Sequence, residues 1–279
     1  MAVSKFAALL AAAMSLLTLA HAQLAEPAPL RADPFSALVG KRKPAAERDA
    51  ASGAVERFVI ASDDRVFLFQ SDDRVGRLKF LCGEGDKRID CLIDREAPAE
   101  EIHLLTASRV SRGDVVWNDQ RGRTLMRVAA YGGVTVFWPG DARGLAASKS
   151  YGEDPPLTLD FATVETARQR AQAATALISA RVGAPIVFEI GEPAPDAGGG
   201  ASVLADAVVR AAGGMGRVAE DPTGARVMAA RIRRVEFRRA ADPALAMQKG
   251  VLSVGYNPAL DVGGRPSSAA VARFLEESL

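Results

Sequence analysis

The chain has 279 residues, of which 35 are basic and 34 are acidic, so its formal net charge is close to zero. Binding to nucleic acid needs a concentrated basic field that neutralises phosphates, so this balance excludes a general nucleic-acid-binding protein. A chain of this length can bury enough surface for one large domain or two small ones without added cross-links.

The first 22 residues have the organisation of a secretory signal peptide. Lys5 precedes an apolar run at residues 6–19, and the small residues Ala20 and Ala22 flank His21 before the expected cleavage site. The run is shorter than the roughly 20 apolar residues that a membrane helix needs, and no later segment supplies one. We therefore expect no integral membrane span and a mature protein that is periplasmic or secreted.

Residues 23–55 are rich in Ala and Pro and contain few bulky apolar side chains after Leu38. Such a segment cannot bury enough surface to offset the entropy lost on ordering, so we interpret it as a flexible tether. Its basic cluster at residues 41–43 could contact an anionic surface, but a solvated cluster is the simpler interpretation.

Residues 56–150 alternate short runs of β-branched and aromatic residues with turn sequences, which is typical of strands. Candidate strands lie at residues 57–61, 66–70, 77–81, 88–93, 102–110, 114–118, 124–130 and 134–138. The gaps between them are too short for parallel crossovers, so neighbours should pair antiparallel. This part of the chain is therefore predicted to be an antiparallel β meander.

Cys82 and Cys91 are the two cysteines of the chain, and eight residues separate them. In an oxidising compartment the pair predicts a disulfide across a hairpin, stabilising the fold by roughly 2–3 kcal/mol. The spacing fits neither a C-x-x-C redox motif nor a zinc site, because His103 is the one histidine after the signal peptide. We expect a structural disulfide, with no metal and no cofactor.

An exact repeat, Ser-Asp-Asp-Arg-Val, occupies residues 62–66 and 71–75. Four carboxylates could form a calcium site, because that cation prefers several oxygen ligands. The alternating ligand pattern of an EF-hand is absent, however, and Arg65 and Arg74 would repel a cation. Two turns, with Ser and Asp capping their own backbone, are the favoured interpretation.

From residue 151 the apolar period changes to 3.6. Asp160 and Gly183 bound a predicted helix, followed by a strand at 186–190, a helix at 202–212, strands at 225–239 and 250–256, and a closing helix capped by Ser267 or Ser268. Residues 151–279 are therefore predicted to form an α/β domain with helices packed on a small mixed sheet. The fold class of the whole chain is α+β.

Motifs for catalysis are scarce. His103 should be exposed if it lies on a strand between Ile102 and Leu104, and a lone exposed histidine is usually a surface residue. The glycines at 213, 214 and 216 follow a predicted helix, which is the wrong context for a phosphate loop. We assign no catalytic residue and favour a protein that is not an enzyme. The alternatives are a carboxylate-dependent hydrolase acting on an envelope component and an inhibitor or chaperone-like protein.

A series of arginines falls on the long predicted strand at residues 225–239, comprising Arg226, Arg231, Arg233, Arg234, Arg238 and Arg239. Guanidinium groups bind carboxylates and phosphates through paired donors. Arg231, Arg233, Arg234 and Arg238 are therefore the candidate residues for binding an anionic envelope component or an acidic patch on an envelope protein. The neutral net charge favours the simpler interpretation, an edge strand whose charges, paired with acids such as Glu236, prevent aggregation.

Three segments, at residues 111–119, 125–128 and 132–137, resemble a family of uncharacterised exported alphaproteobacterial proteins whose name records only an unknown function. Residues 264–268 and 274–276 are also similar, so the resemblance extends over residues 56–279. These segments are turn and packing signatures, so the resemblance implies export and no particular activity. Together with the scarcity of catalytic motifs, this predicts a noncatalytic binding or envelope-assembly module.

Overall fold

The computed structural model describes residues 53–72, 74–141, 143–191 and 200–279. The predicted signal peptide and nearly all of the predicted tether lie outside the described residues. The described part comprises a closed eight-stranded β-barrel, a set of helices and a separate four-stranded sheet.

The barrel contains eight consecutive strands, each antiparallel to its neighbours. They are β1 (Val55–Ile60), β2 (Val66–Ser71), β3 (Val75–Phe80), β4 (Ile102–Arg109), β5 (Val115–Asp119), β6 (Thr124–Val128), β7 (Val134–Phe137) and β8 (Gly144–Ser150). β8 pairs with both β7 and β1, which closes the sheet. The predicted antiparallel meander is therefore wrong, because the sheet is a closed barrel. β8 was missed because its sequence, Gly-Leu-Ala-Ala-Ser-Lys-Ser, has no β-branched or aromatic residue, and pairing on both sides overrides this low propensity.

Alternate side chains of the strands fill the barrel with a core of aromatic and aliphatic residues. Near its centre, the Phe69 and Trp117 rings meet edge to face with centroids 4.9 Å apart. Gly76 of β3 makes room for this pair, because a Cβ at that position would lie 2.8 Å from the Trp117 ring and 2.9 Å from Phe69. The first Ser-Asp-Asp-Arg-Val sequence lies at the turn between β1 and β2, where Asp63 accepts hydrogen bonds from Arg65. Part of the second lies outside the described residues.

The segment between β3 and β4 leaves the barrel and carries a short helix, α1 (Ile89–Leu92). The predicted disulfide between Cys82 and Cys91 is confirmed, with their Cα atoms 5.7 Å apart. The predicted hairpin around it is wrong, because β3 pairs directly with β4 and the candidate strand at 88–93 is mainly this helix. The disulfide instead ties α1 to the end of β3.

The C-terminal half begins with α2 (Val164–Val182), capped by Thr163 rather than Asp160 and ended by Gly183 in the left-handed conformation. The remaining elements are β9 (Val187–Ile190), α3 (Gly200–Val218), α4 (Pro222–Arg231), β10 (Arg234–Arg239), β11 (Ala244–Gln248), β12 (Val251–Tyr256) and α5 (Ser268–Ser278). The strand order is β11-β12-β10-β9, with β10 parallel to both of its neighbours and β11 antiparallel to β12. The predicted strand at 225–239 is wrong in its first part, where Asp221 caps α4 and Pro222 occupies its first turn.

Helix α3 lies at the centre of the C-terminal core and is buried on almost every side. Its glycines allow close packing: a Cβ on Gly214 would lie 2.5 Å from the Val271 Cβ of α5, and a Cβ on Gly216 would lie 2.6 Å from the Ile89 Cγ1 of α1. The glycines at 213, 214 and 216 all lie inside this helix, where Gly214 and Gly216 serve helix packing. Among the described residues, no helix combines the length and hydropathy needed to cross a membrane.

Candidate ligand-binding site

A cavity of about 600 Å³ lies at the end of the barrel where β3, β5 and β7 finish and β4 and β6 begin. The barrel contributes Phe80, His103, Leu125 and Phe137, followed by Trp138, while α1 contributes Ile89 and Asp90. Helices α2 and α3 supply Arg181, Arg210 and Arg217 on the other side. The volume falls within the range of about 300–1,000 Å³ that is usual for small-molecule sites.

Trp138 forms much of the apolar wall of this cavity. Its indole ring meets Phe80 edge to face at 4.7 Å between centroids. The guanidinium carbon atoms of Arg65 and Arg88 lie 4.7 and 5.7 Å from the centre of the ring. Cation–π attraction on top of aromatic packing holds the indole in one orientation, so this wall is formed in advance of any ligand.

The polar floor of the cavity is built around Glu101, the residue immediately before β4, which is 3% exposed. Its carboxylate accepts a 3.0 Å hydrogen bond from the Ser268 backbone N–H and another from the Ser268 hydroxyl. Oε2 also lies 3.7 Å from Arg210 Nη1 and 3.8 Å from Arg217 Nη2. Burial alone would raise the pKa of Glu101, but His103 and the surrounding arginines lower it far below its usual range. Glu101 is therefore a fixed anion.

Arg210 of α3 extends this network and is itself 1% exposed. Its Nη2 lies 3.1 Å from Asp206 Oδ1 and also donates to the Ala99 carbonyl. Asp206 binds the Nε of Arg265 at 2.5 Å as well, so the network joins the start of β4, α3 and the segment before α5. One donor is left over, because Arg210 Nε has no hydrogen-bond acceptor within the described residues.

His103 of β4 lines the cavity beside this network and is 7% exposed. Burial lowers its pKa to about 4, because the effect of Glu101, which favours the charged imidazole, is smaller and is opposed by the nearby arginines. The imidazole is therefore neutral at neutral pH, with Nδ1 4.0 Å from Glu101 Oε1. The expectation of an exposed His103 is wrong, because both faces of β4 are covered at this end and Ile102 packs in a separate apolar cluster with Leu68.

Neither of the arrangements considered for catalysis is assembled here. The Ser268 hydroxyl donates to Glu101 and not to His103, and a carboxylate whose pKa is held this low is a weak base. A fully ionised Glu101 also lacks the proton that a general acid must donate. Among the described residues, the one group that resembles a metal site is Cys82, Asp86 and Cys91, and its cysteines are joined in the disulfide.

The predicted row of arginines does not form on one strand. Arg226 and Arg231 belong to α4, Arg233 lies between α4 and β10, and Arg234, Arg238 and Arg239 lie on β10. The four proposed binding residues already have acceptors: Arg231 binds the Leu279 carbonyl, Arg233 binds the Ala229 carbonyl, and Arg234 and Arg238 pair with Glu236. None of them lines the cavity. Their role in binding an anion or a partner stays a prediction.

The sequence pattern does not assign Glu101, Arg210 or Arg217 to a site. The available signal lay in α3, whose run of apolar residues is interrupted by Asp206 and Arg210 four positions apart. A charged pair within a helix that is apolar all round must find partners inside the protein. That argument identifies a buried polar site, although it does not identify Glu101 as the partner.

A family model described as "Domain of unknown function (DUF4908)" matches residues 34–275. The matched segment includes the barrel, the four-stranded sheet and every residue of the cavity wall described above. No curated protein and no solved structure matches the chain.

Proposed function

The chain belongs to the family of the domain of unknown function DUF4908, and we propose that it is an exported, noncatalytic binding protein whose ligand occupies the cavity at the barrel end. The observation that carries this proposal is the cavity itself, of about 600 Å³, with an aromatic wall and a polar floor that are both preformed. Sites for small molecules typically combine an apolar lining with a few fixed polar groups.

The Cys82–Cys91 disulfide supports the export part of the proposal. Disulfides persist in oxidising compartments and are rare in a reducing cytoplasm. With the signal-peptide pattern of the first 22 residues, this favours a periplasmic or secreted location, in keeping with the resemblance to exported alphaproteobacterial proteins. An envelope-assembly role through the arginines near β10 is less well supported, because those side chains are already paired.

The competing function is a carboxylate-dependent hydrolase acting on an envelope component. The cavity gives it some support, because Asp90 and Glu101 both line the floor. Against it, Glu101 is occupied by Ser268 and the arginines, and Asp90 lies 3.8 Å from both Arg88 Nη1 and Arg210 Nη1. Acids bound in this way hold the floor together rather than exchange protons, so binding is the better-supported function.

The experiment uses Trp138 as a reporter inside the cavity. The chain has two tryptophans, and the other, Trp117, lies in the barrel core. A Trp117→Phe variant of the mature protein would be titrated with the neutral dye Nile red and the anionic dye 1-anilinonaphthalene-8-sulfonate, following Trp138 emission. We expect a saturable change with at least one dye and one site per chain.

A matched pair of variants locates the site. Thr124→Phe adds bulk inside the cavity and should weaken dye binding about tenfold or more, while Thr106→Phe adds the same bulk at an exposed position of β4 and should not. Absence of saturable binding, with no compound retained in native mass spectra of protein purified from the periplasm, would overturn the binding function. Hydrolysis of an envelope substrate that Glu101→Gln abolishes would favour the competing function instead.

A further inference from the structure

Two arginines on the helical side of the cavity have guanidinium donors that the protein hardly uses. Arg217 of α3 makes no side-chain hydrogen bond within the described residues, and its nearest carboxylate atom is Glu101 Oε2 at 3.8 Å. Arg181 of α2 reaches one acceptor in the same part of the chain, the Lys87 carbonyl, at 3.5 Å. Each guanidinium carries five N–H donors in a fork that suits planar anions. The site therefore has donor capacity to spare.

The fully buried Arg210 also has a hydrogen-bond donor without an acceptor among the described residues. Its Nε is buried and has no hydrogen-bond partner in the described part of the chain. A buried donor without an acceptor costs about 1–3 kcal/mol, so such groups usually have an explanation. Arg210 lines the cavity, so hydrogen-bond donors outnumber acceptors on this side of it.

The backbone of α3 is adapted to the position of Arg181. A Cβ on Gly216 would lie 3.2 Å from Arg181 Nη1, so the missing side chain leaves room for this guanidinium to cross the helix. The same glycine admits Ile89 from α1, which is part of the cavity wall. Arg181 is therefore held on the turn of α3 that also carries Arg217.

The acidic side chains of the cavity are less available to a bound cation than the arginines are to a bound anion. Glu101 is shared by Ser268 and two arginines, and Asp90 lies beside Arg88 and Arg210. Glu220 lies at the exposed rim, where solvent weakens its field, and Asp141 is paired with Arg143. Buried carboxylates whose partners are already in place have little to offer a positively charged ligand, whereas the arginines retain free donors.

On this basis, and resting on the binding function proposed above, we infer that the ligand is an amphipathic anion. Its carboxylate or phosphate group lies against Arg181 and Arg217, and its apolar body lies along Phe137 and Trp138 on the barrel side. Charge-assisted hydrogen bonds fix the head group, and burial against the aromatic wall supplies the non-directional part of the affinity.

The test compares probes that share one apolar tail and differ in head group: octanoate, octyl phosphate and octyltrimethylammonium. Each would be titrated into the Trp117→Phe protein while Trp138 emission is recorded. We expect at least one anion to bind at a single site, about tenfold or more tightly than the cation. The ratio of the two anion affinities distinguishes a carboxylate ligand from a phosphate ligand.

Substitutions of Arg181 and Arg217 test whether these two arginines bind the anionic head group. Arg217→Met and Arg181→Met should each lower the anion affinity roughly ten- to hundredfold, and Arg217→Lys, which keeps the charge without the fork, should fall in between. Arg168→Met, on α2 but outside the cavity, should leave the affinity unchanged. Thermal unfolding of each variant shows whether it has folded. If either the Arg181 or the Arg217 variant fails to fold, the other still tests the inference.

The outcomes separate this inference from the function on which it rests. If the cation binds as tightly as the anions, or both methionine variants bind the anions normally, the inference is overturned and the binding function stands. If neither dye and none of the three octyl probes binds, the binding function fails and this inference fails with it.

Discussion

Ser268, in the first turn of α5, donates both its backbone N–H and its hydroxyl to the carboxylate of Glu101, which lies 167 positions earlier in the chain. Ser267 caps the same helix by accepting from the Ala270 N–H. A free N–H at a helix N-terminus is a favourable position for a negative charge. The start of α5 is therefore fixed to the start of β4 through one buried carboxylate.

Removing this carboxylate should destabilise the protein strongly. Glu101→Leu leaves Arg210 and Arg217 without their shared anion, and breaking a buried charge network in this way typically costs about 3–5 kcal/mol. Urea unfolding followed by circular dichroism would measure the change. Glu165→Leu is the matched control: this exposed residue pairs with Arg168 on the surface of α2 and should change the free energy of unfolding by less than about 1 kcal/mol. Equal effects of the two substitutions would contradict a central role for Glu101.

Acid should destabilise the protein through His103 at a pH where most carboxylates are still ionised. Its pKa is about 4 in the folded protein and has an ordinary value of 6.5, so the unfolded chain takes up a proton first as the pH falls. The stability present above pH 6.5 is then lost progressively down to about pH 4, by roughly 3 kcal/mol in total. Glu101, whose folded pKa is also lowered, adds a further loss starting near its ordinary value of 4.5.

A His103→Gln variant isolates the first of these losses. We expect its free energy of unfolding to be nearly constant between pH 6.5 and 5, where that of the wild type declines. Urea titrations at several pH values in this window provide the comparison. Parallel curves for the two proteins would mean that His103 is not held neutral by the fold.

The disulfide should support both the fold and the cavity. Cys82 and Cys91 enclose Arg88, Ile89 and Asp90, all of which line the cavity. A Cys82→Ser/Cys91→Ser double variant should lose roughly 2–3 kcal/mol of stability and bind Nile red more weakly than the wild type. Dithiothreitol should reproduce both effects in the wild type and have none on the double variant. Unchanged dye binding after reduction would show that α1 holds its place without the disulfide.

Elements that depend on local interactions could be predicted from the sequence, and those that depend on contacts between distant residues could not. The 3.6-residue period and the Gly183 stop located α2, and the short gaps with turn residues located most strands, because these signals are local. β8 and the closure of the barrel could not be found in this way, since pairing with β1 joins residues about ninety positions apart. Asp221 and Pro222 are also a local signal for the start of a helix, which explains why Arg231 lies on α4 and not on the predicted strand.

The candidate site was hidden for the same reason. His103 is an ordinary strand residue in the sequence, and only the packing of α3 against the barrel end turns it into a buried neutral group beside Glu101. The charged pair Asp206 and Arg210 indicated buried polar contacts but not their partners. Long-range packing, which has no sequence period, determines which charges meet.

The packing of α3 against α5 provides a final prediction, because neighbouring glycines of α3 should tolerate a methyl group very differently. A Cβ on Gly214 would lie 2.5 Å from the Val271 Cβ and 2.7 Å from the Ser268 backbone oxygen, whereas a Cβ on Gly213 meets only the Ser268 Cβ, at 3.3 Å. Gly→Ala within a helix otherwise gains about 1 kcal/mol from propensity. We therefore expect Gly214→Ala to destabilise the protein by roughly 1–3 kcal/mol through overpacking, and Gly213→Ala to be close to neutral. Thermal and urea unfolding of the two variants would measure this difference, and a Gly214→Ala protein as stable as the wild type would show that α5 can move away from α3 without cost.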